Sequence, residues 1–484
     1  MIDSYVWIGQ APLIYQFMTA RNVCKEKGRV KVDTNSIGFK QLRRRLSRQE
    51  LDEAVALADL VFRDGEQSSM GDSFPRIFDP AIGLSLGITE EGQLVSFIGF
   101  VPQQIFIGKA VLSVCALGSV CTHPDYRGQG HASVLLSEAF HQAEAMGAAL
   151  MLISGTRSLY RRNGCFAFGS VRRYRIPHKS TKSNMPTGMT ARRLEPSDWF
   201  RLQALANSKP AGYRRSIADL AQELHSEAVA AMYRFHHDVF VAEKNGQLEA
   251  YAVIASGPIP ADSDLEPFIV EWGGKAAIAL PLIQEAMTRM KLSSMLLFAT
   301  SHERRMMKLL DGHPYTSSHN QGTVRIMNLP LLWAQLEPYF EAAAAAAGRV
   351  MPSWGIKRLS DEEYALRLGD ELIPLSSRAW ALLLFDGPDA EPDDGPDAFV
   401  RKMASEQQAE LLPAMTGTST RSPAPAQHLP EKAGTSSSSA STIKLTSSRT
   451  KTDNRLLPFS ESQAELLRDF FPLPFPYTAG LSYI

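Results

Sequence analysis

The segment best equipped for chemistry is Arg127-Gly128-Gln129-Gly130-His131-Ala132. Gly128 and Gly130 remove side-chain bulk from a turn, and the spacing after Ser133 predicts that this turn opens a helix. Backbone N–H groups converging on the positive end of a helix make a cradle for an anion such as a diphosphate. A doubly wound fold holding another nucleotide is the alternative. Residues 128–133, Gly-Gln-Gly-His-Ala-Ser, do not make the GxGxxG dinucleotide pattern, however, and no phosphate-loop lysine follows. The four cysteines, Cys24, Cys115, Cys121 and Cys165, form no C-x-x-C pair and no His-rich metal spacing, so they read as reduced core residues and no metal is expected.

The elements that must position this turn can be read from apolar periodicity. Leu51, Ala54, Val55, Ala58, Leu60 and Val61 predict a helix. Strands are expected at 84–88 and 94–101 around the turn Glu90-Glu91-Gly92, with a second pair at 104–107 and 111–122. Ser133 to Met146 carries Val134, Leu135, Ala139 and Ala143 on one face of a helix closed by Gly147, and a short strand, 149–153, ends in Ser154-Gly155. The order is compact and of α/β (α+β) character around a mixed central sheet.

A second block repeats the plan. It has a hairpin at 239–243 and 248–255, a strand at 270–272, a helix through 280–290 and a strand at 294–299. Glu271-Trp272-Gly273-Gly274 leads its helix without an arginine, which predicts a duplicated fold with one empty cofactor site. A third block begins at Val324 and enters a helix through the alanines 342–347. The expected boundaries are an N-terminal extension at 1–38, blocks at 39–180, 185–320 and 322–385, a disordered linker at 386–453, and a helix with a docked apolar tail at 454–484.

The 484 residues exceed a single core. Lys+Arg and Asp+Glu are equal at 51 each, so no global field draws the chain to nucleic acid or to an acidic membrane, and any anion site must be local. No apolar run reaches the ~18–20 residues that span a bilayer, and the N-terminus has no signal-peptide pattern, so a cytoplasmic location is expected.

With strand, glycine turn, helix and second strand in that order, the chain resembles the GNAT superfamily of acyl-CoA N-acyltransferases. The resemblance implies that Gly128, Gln129, Gly130, His131 and Ala132 hold the diphosphate of acetyl-CoA through N–H groups, with Arg127 adding charge. Val120 and Thr122 would offer backbone groups to the pantetheine arm. His131 stands where a small or apolar residue is usual and is expected to act through its backbone. Acyl transfer also needs a neutral amine and a proton for the leaving thiolate. Tyr160, after the second strand, occupies the place where such enzymes often put a tyrosine and is the candidate acid.

The strand 111–122 contains no Asp or Glu, so the base must come from elsewhere. Candidates are Glu66, Asp72, Glu271, a water chain or the carboxylate of Ile484. The three-block plan resembles the enhanced intracellular survival family, whose multi-acetylating members combine an active GNAT domain, a degenerate GNAT-like copy and a small sterol-carrier-like C-terminal domain. That resemblance implies that the terminal carboxylate, here Ile484, serves as base and that the chain forms a homo-oligomer, possibly a hexamer. The segment 386–453 reaches on the order of 45 Å as a random coil, enough for the tail to dock at the first block. The acceptor is expected to be an amine of a small molecule, peptide or lysine. Glu66, Asp72, Glu266 and Glu271 would line an acidic cleft if it were polycationic. A CoA- or lipid-binding regulator without turnover is the alternative function.

Overall fold

The computed structural model describes residues 40–43, 45–178, 185–259, 265–360, 363–390 and 457–484. The expected extension at 1–38 and, of the expected linker at 386–453, residues 391–453 lie outside the described residues.

Helix Arg48–Phe62 starts at a capping box: Ser47 Oγ accepts from the Glu50 N–H at 3.2 Å, and the Glu50 carboxylate accepts from the Ser47 N–H at 2.8 Å. It buries Leu51, Ala54, Leu57 and Ala58. Leu60, expected on the core face, is 58% exposed, because the buried stripe runs through Leu57 instead.

The first sheet places Leu86–Glu90, Gln93–Ile107, Ala110–Thr122, Leu150–Ile153 and Thr323–Ile326 side by side. Its pairs are antiparallel except at the centre, where Val114–Leu117 runs parallel to Leu150–Ile153. The parallel step is made by helix His131–Ala145, which buries Leu135, Leu136, Ala139, Phe140 and Ala143. Strand Gln93–Ile107 passes unbroken through Pro102, where two separate strands were expected. Leu86–Glu90 covers its outer edge only at 93–98 and Ala211–Tyr213 only at 105–107, so Pro102 lies on an open stretch of edge and no ladder bond is lost there.

The second sheet runs Tyr315–His319, Ser170–Pro177, Ser294–Thr300, Phe268–Gly274, Gln247–Ser256, His236–Lys244, Thr190–Arg193. Again one central pair is parallel, Phe268–Gly274 with Ser294–Thr300, and again the connection is a helix, Ala276–Met290. The two sheets exchange strands across the boundaries drawn from sequence. Ser170–Pro177 pairs along its length with Ser294–Thr300, whereas Ala211–Tyr213 and Thr323–Ile326 belong to the first sheet. A smaller α/β unit carries the antiparallel strands Trp354–Arg358, Tyr364–Leu368 and Glu371–Leu375 with helices Leu329–Ala346 and Ser377–Asp386. Among the described residues no helix is long and apolar enough to cross a membrane.

The C-terminal segment is docked throughout. After helix Glu461–Leu467, the side chains of Phe470, Phe471, Leu473 and Phe475 enter the core of the small unit, with Trp354 against Phe470 at 4.5 Å between ring centres and Phe475 edge-on to Phe168 at 5.7 Å. The Thr478 N–H then donates to Asn320 Oδ1 at 2.9 Å, and Asn320 Nδ2 donates to Pro476 O at 2.8 Å. Within this clasp Tyr477 stacks on Phe298 of the second sheet, and beyond it the chain ends against the first.

Candidate active site

The site begins where two parallel strands part. Their pairing ends at Leu117 opposite Ile153, with the Ser154 N–H still donating to Leu117 O at 3.1 Å. The central strand continues to Thr122 while its neighbour turns away. A bulge lies just past the last pair: Gly99 faces Gly118 and Phe97 faces Cys121, which leaves one extra residue on the central strand, and Ser119 takes a φ of +50°. The His123 N–H donates to Val95 O at 2.9 Å, so strand alternation turns the backbone groups of Val120 and Thr122 to the opposite edge, into the gap. Arg127 Nε donates to the Thr122 carbonyl from that side at 3.3 Å.

The glycine turn follows. Gly128 and Gly130 have φ of +80° and +82°, and a Cβ at either would meet nothing within 4 Å, so the turn faces open space. Gly130 caps the helix with no side-chain bond, and Arg127 and Gln129 are exposed beside it. Ala132 is half-buried in the first helical turn. The His131 side chain is 5% exposed and turns inward, its Nε2 2.9 Å from Glu90 Oε1, which leaves only its backbone toward the turn. An uncapped helix start, an open cradle and a free strand edge fit a diphosphate carrying an extended amide arm.

Tyr160 projects from helix Ser158–Arg162 and is 4% exposed. A Cβ on Gly155 would lie 2.5 Å from its ring, so that glycine is needed to seat it. Burial pushes the phenol up to about 12, with Arg157 pulling the other way and Cys165 and Cys121 adding to the rise, so it keeps its proton at neutral pH. Burial also pushes the Cys115, Cys121 and Cys165 thiols up to about 12, as expected of inert core cysteines.

Ile484 is 8% exposed among Ile77, Phe97, Ala116 and Cys121. Its carboxylate lies directly over Gly118: a Cβ there would stand 2.5 Å from the Ile484 carbonyl carbon and 2.6 Å from its oxygen. Burial pushes the Tyr483 phenol up to about 12, with Tyr233 and Tyr160 adding to the rise and Ser154 and Gln321 opposing it. Gln103 Nε2 donates to Ser482 O at 3.1 Å. The gap in the sheet is thus bordered by Val120 and Thr122, the glycine turn, Tyr160 and the chain terminus. Gly118 was not singled out from sequence; a glycine interrupting an otherwise apolar strand was the signal for a close approach.

The other carboxylate candidates are not gathered into a cleft. Glu66 is paired with Arg234 at 2.8 Å, Glu266 with Arg175, and Asp72 is exposed on the short helix Met70–Ser73. Glu271 accepts from Arg215 at 2.6 and 3.1 Å, lies 3.1 Å from Lys209 Nζ and is bonded by Tyr251. Burial alone would raise its pKa, but Arg215 and Lys209 outweigh that and hold it well below the usual carboxylate range. Arg215 also donates to Glu223 at 3.2 Å, and Glu223 accepts from Arg76 at 3.2 Å beside Ser482 of the tail. Glu223 lacked any sequence signal, since a single acid in a helix is indistinguishable from a solvated one.

A sheet that parts beside a glycine turn at a helix start is the architecture of the acyl-CoA N-acyltransferases. Residues 43–168 match the acetyltransferase (GNAT) domain family, and this part of the chain is a GNAT acetyltransferase domain. No curated protein matches the sequence. Among solved structures, a GCN5-related N-acetyltransferase from Kribbella flavida is 16% identical with a TM-score of 0.51, covering 75% of this chain and 91% of its own. One from Anabaena variabilis is 13% identical with a TM-score of 0.51, covering 70% and 85%. Eis1 from Mycobacterium abscessus is 13% identical with a TM-score of 0.48, covering 74% and 95%.

Proposed function

We propose that the chain transfers an acyl group, acetyl foremost, from acyl-CoA to a primary amine by direct attack, with Ile484 as base and Tyr160 as acid. The observation that carries the reading is the terminal carboxylate seated on Gly118, at the mouth of the gap in a strand that has no acid of its own. The donor supplies a thioester carbonyl open to attack. Gly128 to Ala132 hold its diphosphate through N–H groups, Arg127 adds charge, and Val120 and Thr122 pair with its pantetheine arm. The Ile484 carboxylate takes the proton of the attacking amine, and the buried Tyr160 hydroxyl, still protonated at neutral pH, faces the departing sulfur.

One added glycine after Ile484 tests the assignment. The extension displaces the carboxylate, and thiol release from acetyl-CoA with a panel of small primary amines, polyamines and lysine peptides should fall at least tenfold while acetyl-CoA still binds. Unchanged turnover would remove the terminus from the mechanism. Binding of CoA with no release for any amine, in the unaltered chain, would make the protein a CoA-binding regulator.

A further inference from the structure

We propose that the second sheet holds a separate binding site for a small organic anion with an aromatic or apolar body. Where Phe268–Gly274 and Ser294–Thr300 diverge there is a cavity of about 760 Å³, within the ordinary range of small-molecule pockets. It occupies the place in this sheet that the active gap occupies in the first, but its chemistry differs. Its helix follows Gly273-Gly274-Lys275 with no glycine turn, and the short helix Arg304–Leu309 after the second strand carries buried Met306 at its third position, where helix Ser158–Arg162 carries Tyr160. The copy has lost the parts for turnover and kept the space.

The charge of that space decides its ligand. Among the described residues, five basic side chains line it against three acidic ones. Glu271 is consumed by Arg215, Lys209 and Tyr251, and Glu249 is paired with Lys275 at 2.9 Å. Glu303 is tied down locally, accepting from the Thr300 N–H at 2.8 Å. Arg304 and Arg305 face the cavity from an exposed helix and have no carboxylate partner among the described residues. Trp272 and Phe298, the latter stacked on one side by Tyr477, add apolar surface to the lining, and the Lys209 side chain lies across Gly273, where a Cβ would meet it at 3.1 Å. A carboxylate or phosphate on the two arginines, with a ring against Trp272 and Phe298, satisfies the excess charge and buries the apolar wall.

Calorimetric titration of the full chain with 1-naphthyl phosphate and 2-naphthoate, and with neutral 2-naphthol, tests this. The expected result is saturable binding of one or both anions, at least tenfold tighter than the naphthol. Arg304→Glu/Arg305→Glu should weaken that binding at least tenfold without moving the thermal unfolding midpoint, because both residues are exposed. Gly130→Val, which obstructs the turn of the first domain, should leave it unchanged. Preference for one anion identifies the head group. Equal affinity for naphthol, an unaffected double variant, or loss of binding in Gly130→Val would overturn the proposal.

Discussion

Gly118→Ala is the sharpest perturbation of the proposed catalytic arrangement. The backbone at residue 118 is not in the left-handed region, so alanine brings no conformational strain of its own. Its Cβ would nevertheless stand 2.5 Å from the Ile484 carbonyl carbon, 2.6 Å from its oxygen and 3.0 Å from its Cγ2. Carbon–carbon contacts settle at about 3.5 Å, so the carboxylate must retreat by about 1 Å. At Gly118 the strand is held by its pairing with Gly99 and, one residue earlier, by Leu117 opposite Ile153, whereas the tail is a terminus and gives more easily. A misplacement of about 1 Å in a reacting group costs about 10²-fold in rate, or about 2.7 kcal/mol of barrier. The assay is steady-state thiol release with saturating acetyl-CoA and whichever amine reacts best, with acetyl-CoA affinity measured separately by calorimetry. The expected result is a kcat drop near 10²-fold with donor affinity retained. Adding the one-glycine extension to Gly118→Ala should then cost little more, since both act on the same carboxylate. A kcat within about threefold of the unaltered chain would refute the reasoning, and fully additive losses would place the two residues in separate roles.

Two further outcomes follow from burial. The Tyr160 phenol is raised from its ordinary 10 to about 12, so the folded chain holds that proton more tightly than the unfolded one. Its contribution, on the order of 2–3 kcal/mol, is fully present below pH 10 and is lost as pH rises toward 12. Urea unfolding between pH 8 and 11.5 should show that fall, and Tyr160→Phe should flatten part of it; an identical fall in the variant would contradict the assignment. Arg215→Met strips both Glu271 and Glu223 of their shared cation in the protein interior. A stability loss of about 3–5 kcal/mol is expected by chemical denaturation, partly restored by adding Glu271→Gln. A loss below about 1 kcal/mol would mean that Lys209 and Arg76 suffice.

What was legible in the sequence was local. Gly128 and Gly130 announced the turn because a left-handed backbone at two nearly adjacent positions needs glycine, and the helix after it was visible in Leu135, Ala139 and Ala143. Even there periodicity misplaced single residues: Val134 is 46% exposed, and Leu136 and Phe140 carry the face instead. The course of Gln93–Ile107 through Pro102 was hidden, since proline reads as a break unless the neighbouring strands are known to leave that edge open. The exchange of Ser170–Pro177 and Thr323–Ile326 between sheets was equally invisible, because their partners, Ser294–Thr300 and Leu150–Ile153, lie far off in sequence and are fixed by packing. Among the site residues, Tyr160 and the glycine turn could be placed by order along the chain. Glu223 and Arg215 could not, because a buried ion-pair network has no spacing rule.

On the proposed mechanism, the tail supplies the first copy of the fold with the base that its central strand lacks. An acid on the central strand would be positioned by the sheet itself, but Ala110–Thr122 has none, and Gly118 leaves a hole that only a close-approaching backbone can fill. A chain end is a poor instrument for that purpose unless its freedom is removed, since a frayed terminus samples many positions. Here it is removed in stages: Phe470 to Phe475 lock into the small unit, Asn320 clasps Thr478, Tyr477 stacks on Phe298, and Gln103 holds the Ser482 carbonyl just before the terminus. The second copy takes part in this, since Tyr477 stacks on Phe298 and Gly480 lies against Val270 and Glu271, where a Cβ would meet the Val270 carbonyl at 3.5 Å. On the proposed mechanism, the copy that lost its phosphate turn is therefore still required, as the scaffold that delivers a base to the copy that kept one.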